Sequence, residues 1–229
     1  MITDLIFDFF GTLVEYNETR DIGDNSSSYD YLKSIGFNIP ARDYIEAFDK
    51  CFIELEKKSI QNKTEFHMLE LGRLFFKKHF DTRIDDDTNK VFVQKYIDDW
   101  NRNTIYYPNI LDFVDNINKK YRVSILSNTH YPNLIYNNLD NMRVRNYFYK
   151  IYTSVEIGIR KPNKEIFEHV LNDLNISENN AVYIGDNYND DYLGAKTVNM
   201  DCYLIDKLNK YKELGAYSIA GLFELTDKI

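Results

Sequence analysis

The sequence predicts an α/β protein in which an all-helical segment interrupts a doubly wound parallel sheet after its first strand. Short apolar runs that alternate with helical patterns are typical of parallel strands joined by crossover helices. In residues 29–100, by contrast, apolar side chains recur at three-to-four spacing, which predicts helices. We therefore assign residues 1–15 and 101–229 to a core that contains the sheet and residues 16–100 to a helical insert.

Residues 4–9 form the first predicted strand. The apolar run Leu5–Phe7 ends at Asp8, and Gly11 and Thr12 follow closely. Buried parallel strands read as continuous apolar runs, and open α/β proteins bind ligands beyond the carboxyl ends of their strands. Asp8 is therefore the first candidate for a functional carboxylate.

A polar segment at residues 15–28 leads into the insert. Within the insert, 40–43 and 85–88 have the composition of helix starts.

The chain has 19 Tyr and 15 Phe. We interpret these aromatic residues as core-filling side chains rather than as a stacking platform for nucleic acid.

The pattern of alternating strands and helices resumes after Pro108. Strands joined in this way are expected to be parallel, with right-handed crossovers. The predicted helices are 110–117 and 164–172, and the predicted strands are 121–126, 151–153, 181–184 and 202–205.

Composition narrows the class of function. The 229 residues carry a formal net charge of −8, which argues against non-specific binding of nucleic acid. The two cysteines, Cys51 and Cys202, have no metal-ligand spacing, which favours a reducing compartment. No secretory leader or membrane span is evident. We expect a cytoplasmic protein, monomeric or homodimeric, that binds neither membranes nor nucleic acid.

Polar groups follow the predicted strands where a ligand would bind. An ionised carboxylate such as Asp8 can act as a nucleophile. The Ser127 hydroxyl, backbone N–H groups and the Lys161 ammonium can hold a phosphoryl group or an oxyanion. Carboxylates such as Asp186, with Asp190 or Asp191, suit Mg²⁺, which prefers oxygen ligands.

These segments together resemble the haloacid dehalogenase superfamily of hydrolases, in the branch with a helical cap between the first and second motifs. The resemblance covers nearly the whole chain and implies a Rossmann-like core. It rests on four motifs in the family's order, which are Asp8–Leu13, Ile125–Asn128, Gly158–Pro162 with Ile166-Phe167, and Gly185–Asp191 with Gly194-Ala195.

The resemblance implies a role for each matching residue. Asp8 would be the nucleophile that forms a covalent aspartyl intermediate, and Lys161 would balance the charge on Asp8 and the substrate. Ser127 and the backbone of Asn128 would contact the transferred group. The ligands of a Mg²⁺ ion would be Asp8, the carbonyl of Phe10, Asp186 and an acid in the fourth motif. For that acid we prefer Asp191, although Asp190 matches a shorter-spaced variant.

Phe10 departs from the pattern of phosphatases in this superfamily, which usually carry an aspartate there. That aspartate protonates the leaving group and later deprotonates the attacking water. Phenylalanine cannot transfer a proton, and losing one such group costs about 10²–10⁴-fold in rate. We place Phe10 at the substrate pocket and expect Mg²⁺-dependent hydrolysis of a small phosphorylated metabolite, with weak activity on ordinary esters.

Three alternatives remain open at this point. Metal-free 2-haloacid dehalogenases also have an aromatic residue at the place of Phe10 and share the Ser-Asn motif, but they usually lack the acidic Gly-Asp motif that stands here at Gly185-Asp186. Phosphonate-cleaving relatives use a cap lysine, which cannot be assigned among Lys50, Lys57 and Lys58. The third alternative is a weakened member that acts as a binding module.

Overall fold

The computed structural model describes residues 1–16, 26–211, 213 and 215–229. Residues 17–25 of the predicted polar segment therefore lie outside the described residues. The chain folds as two compact units, one of Met1–Tyr16 with Ile105–Ile229 and one of Asn17–Thr104. The predicted insert ends at residue 100, whereas the last helix of the second unit continues to Asn101.

A six-stranded sheet forms the centre of the first unit. The described residues contain the strands β1 (Asp4–Phe7), β2 (Val14–Tyr16), β3 (Thr104–Tyr106), β4 (Arg122–Ser127), β5 (Lys150–Thr153), β6 (Ala181–Gly185), β7 (Asp201–Ile205) and β8 (Ser218–Ile219), of which all but β2 and β3 belong to this sheet. The sheet has the order β5-β4-β1-β6-β7-β8, and every neighbouring pair is parallel. Strands β2 and β3 form a separate two-stranded sheet.

Both faces of the six-stranded sheet are buried. Successive side chains of a strand point to opposite faces. In β1, Leu5 and Phe7 accordingly join one apolar cluster, which includes Phe113, and Ile6 joins another, which includes Phe167. This arrangement explains why β1 reads as a continuous apolar run, and it confirms the predicted α/β class.

Helices connect the strands of the first unit. They are α5 (Ile110–Asn118), α6 (Pro132–Asn141), α7 (Ser154–Ile157), α8 (Lys164–Leu174) and α9 (Gly194–Lys196). The start of α8 is set by Asn163, whose side chain accepts a hydrogen bond from the backbone N–H of Glu165. Its end is set by Asn175 in the left-handed conformation, which satisfies terminal carbonyls.

The strand order reverses beside β1. The chain passes from β1 to β4 and β5 on one side and then returns to β6 on the other. Ligands of doubly wound sheets bind at such a switch point, beyond the carboxyl ends of the strands. Asp8 directly follows β1, and Asp186 directly follows β6. The topology therefore brings the first and fourth motifs to the same crevice.

The second unit is described as four helices, α1 (Ser26–Ser34), α2 (Ala41–Asn62), α3 (Met68–Phe80) and α4 (Asp86–Asn101). Helix α2 begins directly after Pro40, and the Asp85 side chain caps α4 by accepting from the Thr88 N–H. Aromatic rings fill its core, with Phe75 stacked on Phe92 at 5.6 Å. None of the helices in the described ranges is both long enough and apolar enough to cross a membrane.

Candidate active site

A tight turn after β1 sets the position of Asp8. The Asp8 N–H still donates to the Ile184 carbonyl of β6 at 2.8 Å, so the residue stays tied to the sheet. The next carbonyl, that of Phe9, accepts from the N–H groups of Leu13 and Val14 at 2.9 and 3.2 Å, which turns the chain back. Gly11 adopts a φ of 78° in this turn. Asp8 is consequently held at the sheet edge and is 6% exposed.

Lys161 is the buried cation of the site, with 2% exposure. Its ammonium donates to Asp8 Oδ1 at 2.8 Å, to Asp191 Oδ1 at 2.6 Å and to the hydroxyl of Tyr183 at 2.8 Å. Lysine has three N–H donors, so the side chain is fully satisfied. The segment between α7 and α8 thus delivers one positive charge between two acids that are far apart in sequence.

Burial and the charge of Lys161 shift the pKa of Asp8 in opposite directions, and burial and the neighbouring acids do the same to the pKa of Lys161. Burial raises the pKa of Asp8 to about 6, with Lys161 lowering it and Asp191 raising it. Burial by itself lowers the pKa of Lys161, but Asp191 and Asp8 outweigh it and hold that pKa above its usual value. At neutral pH Lys161 is therefore an ammonium, and Asp8 is mainly the carboxylate that nucleophilic attack requires.

The end of β4 supplies Ser127 and Asn128. Ser127 is 1% exposed, and its hydroxyl bonds to Asp8 and so helps to lower the pKa of that acid. The Asn128 side chain holds the backbone of Lys161 on both sides, because Oδ1 accepts from the Lys161 N–H at 2.9 Å and Nδ2 donates to the Lys161 carbonyl at 3.1 Å. The side-chain amide of Asn128 in the second motif therefore joins that motif to Lys161 in the third motif.

The acids of the fourth motif follow β6. A π-helical turn over Tyr188–Leu193 starts at Asn187, whose side chain accepts from the backbone N–H groups of Asn189 and Asp190. This turn directs Asp191 inward, where it is 1% exposed and its Oδ2 accepts from the Asn187 N–H at 2.9 Å. Asp190 is only partly buried and lies 3.4 Å from Asn128 Nδ2.

The described residues bring Asp8, Asp186 and Asp191 together, with one carboxylate oxygen from each lying within 4.8 Å of the others. Asp190 is not in this group. Desolvation by the surrounding protein raises the pKa of Asp186 to about 7, with Asp8 and Asp191 adding to the shift, although part of the Asp186 side chain is exposed. Burial is the largest cause of both raised pKa values, and repulsion between the carboxylates adds to it.

This group fits a hard divalent cation. All of its donors are carboxylate oxygens, which Mg²⁺ prefers, and Asp186 provides an open side for water and substrate oxygens. Three carboxylates beside one ammonium leave two negative charges when all are ionised, and a divalent cation would offset them. The residues that would hold it are Asp8, Asp186 and Asp191.

Gly185 and Gly194 leave room for the side chains of Asp191 and Phe167, respectively. A Cβ at Gly185 would lie 2.3 Å from the carboxylate carbon of Asp191, so that side chain occupies the space above a bare backbone. A Cβ at Gly194 would lie 2.7 Å from the ring of Phe167. The glycines of the fourth motif therefore provide room for a carboxylate and for a core ring.

The Phe10 ring is half-buried and packs against the apolar cluster that also contains Phe7 and Phe9. It meets Phe9 edge-on, with 4.9 Å between the ring centroids. The side chain therefore has a packing role in the core. Its predicted place at the substrate pocket and the role of its carbonyl as a metal ligand stay predictions.

Sequence reasoning missed Tyr183, which contacts the site directly. It lies in the middle of β6, where it reads as one more apolar core residue. A buried tyrosine hydroxyl usually needs a hydrogen-bond partner, and this requirement could have marked it as a residue to examine. In the structure it accepts from Lys161 and donates to the carbonyl of Leu126 at 2.7 Å.

Comparisons with known proteins identify the family to which this fold belongs. Residues 5–205 match the model of the family described as haloacid dehalogenase-like hydrolase. A 2-haloacid dehalogenase from Pseudomonas syringae pv. Tomato DC3000 has a TM-score of 0.70 at 19% identity, covering 99% of this chain and 97% of its own. A phosphatase of this superfamily from Thermococcus onnurineus has a TM-score of 0.63 at 19% identity, covering 99% and 97%. At these identities the likeness concerns the fold.

Curated relatives match over shorter segments. The glyceraldehyde 3-phosphate phosphatase of Methanothermobacter thermautotrophicus is 30% identical over 105 residues, which are 44% of this chain and 44% of that protein. The protein of the same name from Methanocaldococcus jannaschii is 32% identical over 94 residues, 39% of this chain and 41% of its own. This chain thus spans less than half the length of the curated relatives that it matches. The family match over most of the chain, on the fold described above, shows that this protein belongs to the haloacid dehalogenase-like hydrolases.

Proposed function

We propose that this protein hydrolyses small phosphorylated molecules with the help of Mg²⁺, through a covalent intermediate on Asp8. The observation that carries the proposal is the arrangement of Asp8, Asp186 and Asp191 around the single ammonium of Lys161. A metal-free site would leave this excess of negative charge beside a nucleophile that must approach an anionic substrate. Bound Mg²⁺ would supply positive charge to the substrate phosphoryl oxygens.

Asp8 is the nucleophile in this proposal. Its Oδ1 accepts from Lys161, and in this proposal Oδ2 is the attacking atom. Attack on phosphorus forms the Oδ2–P bond as the bond from phosphorus to the leaving oxygen breaks, and the leaving oxygen departs with the electron pair. Water then attacks the acyl phosphate, which releases phosphate and restores the Asp8 carboxylate.

Lys161 and Ser127 hold this nucleophile in place. The ammonium fixes one oxygen of Asp8, and the Ser127 hydroxyl beside the same carboxylate helps to keep it ionised. Fixing the reacting group in advance lowers the entropic part of the barrier. The backbone N–H of Asn128, directly after β4, contacts the transferred group in this proposal, while the Asn128 side chain holds the backbone of Lys161.

Phe10 limits the range of substrates. An alkoxide leaves slowly unless it is protonated, and a phenyl ring supplies no proton. Substrates with good leaving groups, such as acyl or aryl phosphates, do not need that proton. Curated relatives named glyceraldehyde 3-phosphate phosphatase support a small phosphorylated metabolite as the substrate class. We expect an alkyl ester of that kind to react more slowly here than an acyl phosphate.

A screen of phosphorylated compounds tests the proposal. Acetyl phosphate, p-nitrophenyl phosphate, glyceraldehyde 3-phosphate and sugar phosphates would each be assayed with Mg²⁺ and with EDTA, beside an Asp8→Asn control. We expect phosphate release that requires both Mg²⁺ and Asp8. Turnover that EDTA does not change, or no release from any compound, would contradict the proposal. Failure to bind beryllium fluoride on Asp8 as well would favour a binding module.

A second candidate is metal-free hydrolysis at a carbon centre, as in 2-haloacid dehalogenases. Phe10 favours this candidate, because halide leaves without a proton and an aromatic residue at this position therefore does not slow the reaction. The same Asp8 carboxylate would then attack carbon and form an ester. Chloride release from 2-chloropropionate in EDTA would support this candidate, and its absence beside activity on acetyl phosphate would exclude it.

A further inference from the structure

The structure assigns Tyr183 as a positioning residue of the active site, which holds the ammonium of Lys161 through its hydroxyl. This inference deepens the proposed function and rests on it for the chemistry that Lys161 serves. Tyr183 lies in β6, one strand away from Asp8 and three residues before Asp186. Its hydroxyl also interacts with the side chain of Asp191, but in the role assigned here Tyr183 acts through Lys161.

The hydroxyl of Tyr183 has a defined direction. It donates to the Leu126 carbonyl at 2.7 Å, which leaves an oxygen lone pair for the Lys161 ammonium at 2.8 Å. The residue is fully buried, and both of these hydrogen bonds lie inside the protein.

The ring of Tyr183 is itself held by packing. It meets Phe167 of α8 edge-on, with 5.5 Å between the ring centroids. Its Cα pairs in register with Ile6 of β1 on one side and Cys202 of β7 on the other. A hydroxyl on a ring fixed in this way is a rigid anchor, whereas the long lysine side chain has several rotatable bonds.

The third bond of Lys161 decides what the ammonium can do. Asp8 and Asp191 accept two of its N–H groups, and Tyr183 accepts the third. All three donors are therefore committed within the protein before any substrate arrives. Without the hydroxyl the ammonium would have an unpaired donor in a buried site and could turn away from Asp8.

The experiment compares Tyr183→Phe with Tyr152→Phe. Both variants remove one hydroxyl from a buried tyrosine on a parallel strand, but the Tyr152 hydroxyl donates to Asp173 at 2.6 Å and not to Lys161. We expect Tyr183→Phe to lower kcat on acetyl phosphate about 10-fold or more, because bonds to charged groups are strong, with little change in KM. Tyr152→Phe should leave both constants unchanged.

A second measurement does not depend on activity. In NMR spectra of the lysine ammonium groups, the Lys161 signal, identified by its loss in Lys161→Arg, should exchange slowly with water in the wild type. Tyr183→Phe should speed this exchange, and Tyr152→Phe should not. If no phosphate is hydrolysed by the wild type, the proposed function fails while the exchange result still decides the role of Tyr183.

Three outcomes would overturn the assignment. One is unchanged kcat in Tyr183→Phe, with a loss of thermal stability no larger than that of Tyr152→Phe. Another is a fall in kcat without faster exchange of the Lys161 ammonium. The third is a rise in KM alone, since Lys161 would then contact the substrate rather than the nucleophile.

Discussion

Gly11 and Asp186 are packed so closely that a larger residue at position 11 would displace the Asp186 carboxylate. A Cβ built there would lie 2.2 Å from Asp186 Oδ2 and 2.5 Å from its carboxylate carbon. The Asp186 carboxylate of the fourth motif thus packs against the Gly11 turn of the first motif. The contact joins the backbone of Gly11 to the side chain of Asp186. Position 11 therefore needs glycine both for its positive φ and for the space that the Asp186 carboxylate occupies.

We predict that Gly11→Ala weakens Mg²⁺ binding by displacing Asp186. Gly36→Ala is the matched control, because Gly36 also has a positive φ of 91° but a Cβ there meets nothing within 4 Å. Each variant should lose about 1–3 kcal/mol of stability from backbone strain. Only Gly11→Ala should also lose the thermal stabilisation that Mg²⁺ gives to the wild type. Equal Mg²⁺ stabilisation of both variants would contradict this role for Gly11.

The next prediction concerns Asn128. Asn128→Asp keeps the oxygen that accepts from the Lys161 N–H but loses the donor to the Lys161 carbonyl and adds a negative charge near Asp190. We expect kcat to fall about 10-fold, since one hydrogen bond to the lysine segment is lost. Asn128→Ala should fall further. Steady-state kinetics on acetyl phosphate checks the order of the kcat values of the two variants. Equal kcat values would argue against a role of the Asn128 side chain in holding Lys161.

Phe10→Asp should raise turnover if Asp8, Lys161 and the acids already form a complete phosphoryl site. An added acid–base group can contribute about 10²–10⁴-fold, and the gain should be larger for alkyl phosphates than for acetyl phosphate. Phe10→Asn is the control, because it has a similar size and polarity but transfers no proton. The ratio of kcat/KM between the two variants measures the proton transfer. A gain that Asn reproduces would show that relief of packing, and not proton transfer, is responsible.

Stability should depend on pH through Asp8 and Asp186. Their pKa values are raised to about 6 and about 7 in the folded protein, so the folded state holds more protons than the unfolded chain between the ordinary pKa and these values. In EDTA the free energy of unfolding should therefore fall as pH rises from about 4 to about 7. Mg²⁺ should reverse this trend, because it binds the ionised acids.

Thermal unfolding at a series of pH values, with Mg²⁺ and with EDTA, measures both trends. Asp186→Asn is the matched variant, since it removes one of the two titrating groups while keeping the shape of the side chain. Its stability in EDTA should change less with pH than that of the wild type. If the two proteins show the same pH dependence, the excess negative charge does not reside at this group.

Removing Lys161 should destabilise the protein as well as inactivate it. Lys161→Met leaves two buried acids, Asp8 and Asp191, without their cation, and breaking a buried pair in this way costs about 3–5 kcal/mol. Urea denaturation measures the loss. In the double variant with Asp191→Asn the loss should be smaller than the sum of the two single losses, because the groups interact directly. Additive losses would mean that the pair is not coupled.

Much of the core could be predicted from the sequence because parallel strands buried on both faces leave a plain signal. The apolar runs that end at Asp8, Ser127 and Gly185 mark β1, β4 and β6, and each carries polar residues at its carboxyl end. The short β8, Ser218–Ile219, carries no such signal, since two residues show no period. The pairing of β2 with β3 joins segments distant in sequence, which no local pattern reveals.

The site was predictable in its charged members and less so in its neutral ones. Asp8 and Asp186 stand out because each directly follows an apolar run, and Lys161 and Asp191 stand out through the motifs in which they lie. Tyr183 does not, because an aromatic residue in a buried strand is ordinary and only its hydroxyl distinguishes it. Spacing to Leu193-Gly194-Ala195 favours Asp191 over Asp190, but the π-helical turn that buries Asp191 cannot be read from the sequence pattern.

The closeness of Gly185 and Asp191 has a consequence for how this sequence can diverge. Because the Asp191 carboxylate fills the space of the missing Cβ, any side chain at 185 would have to be matched by a shorter one at 191. The two positions are thus expected to change together or not at all among descendants of this gene. A homologue that has lost both the glycine and the aspartate would keep its sheet and would have given up the lysine's second partner.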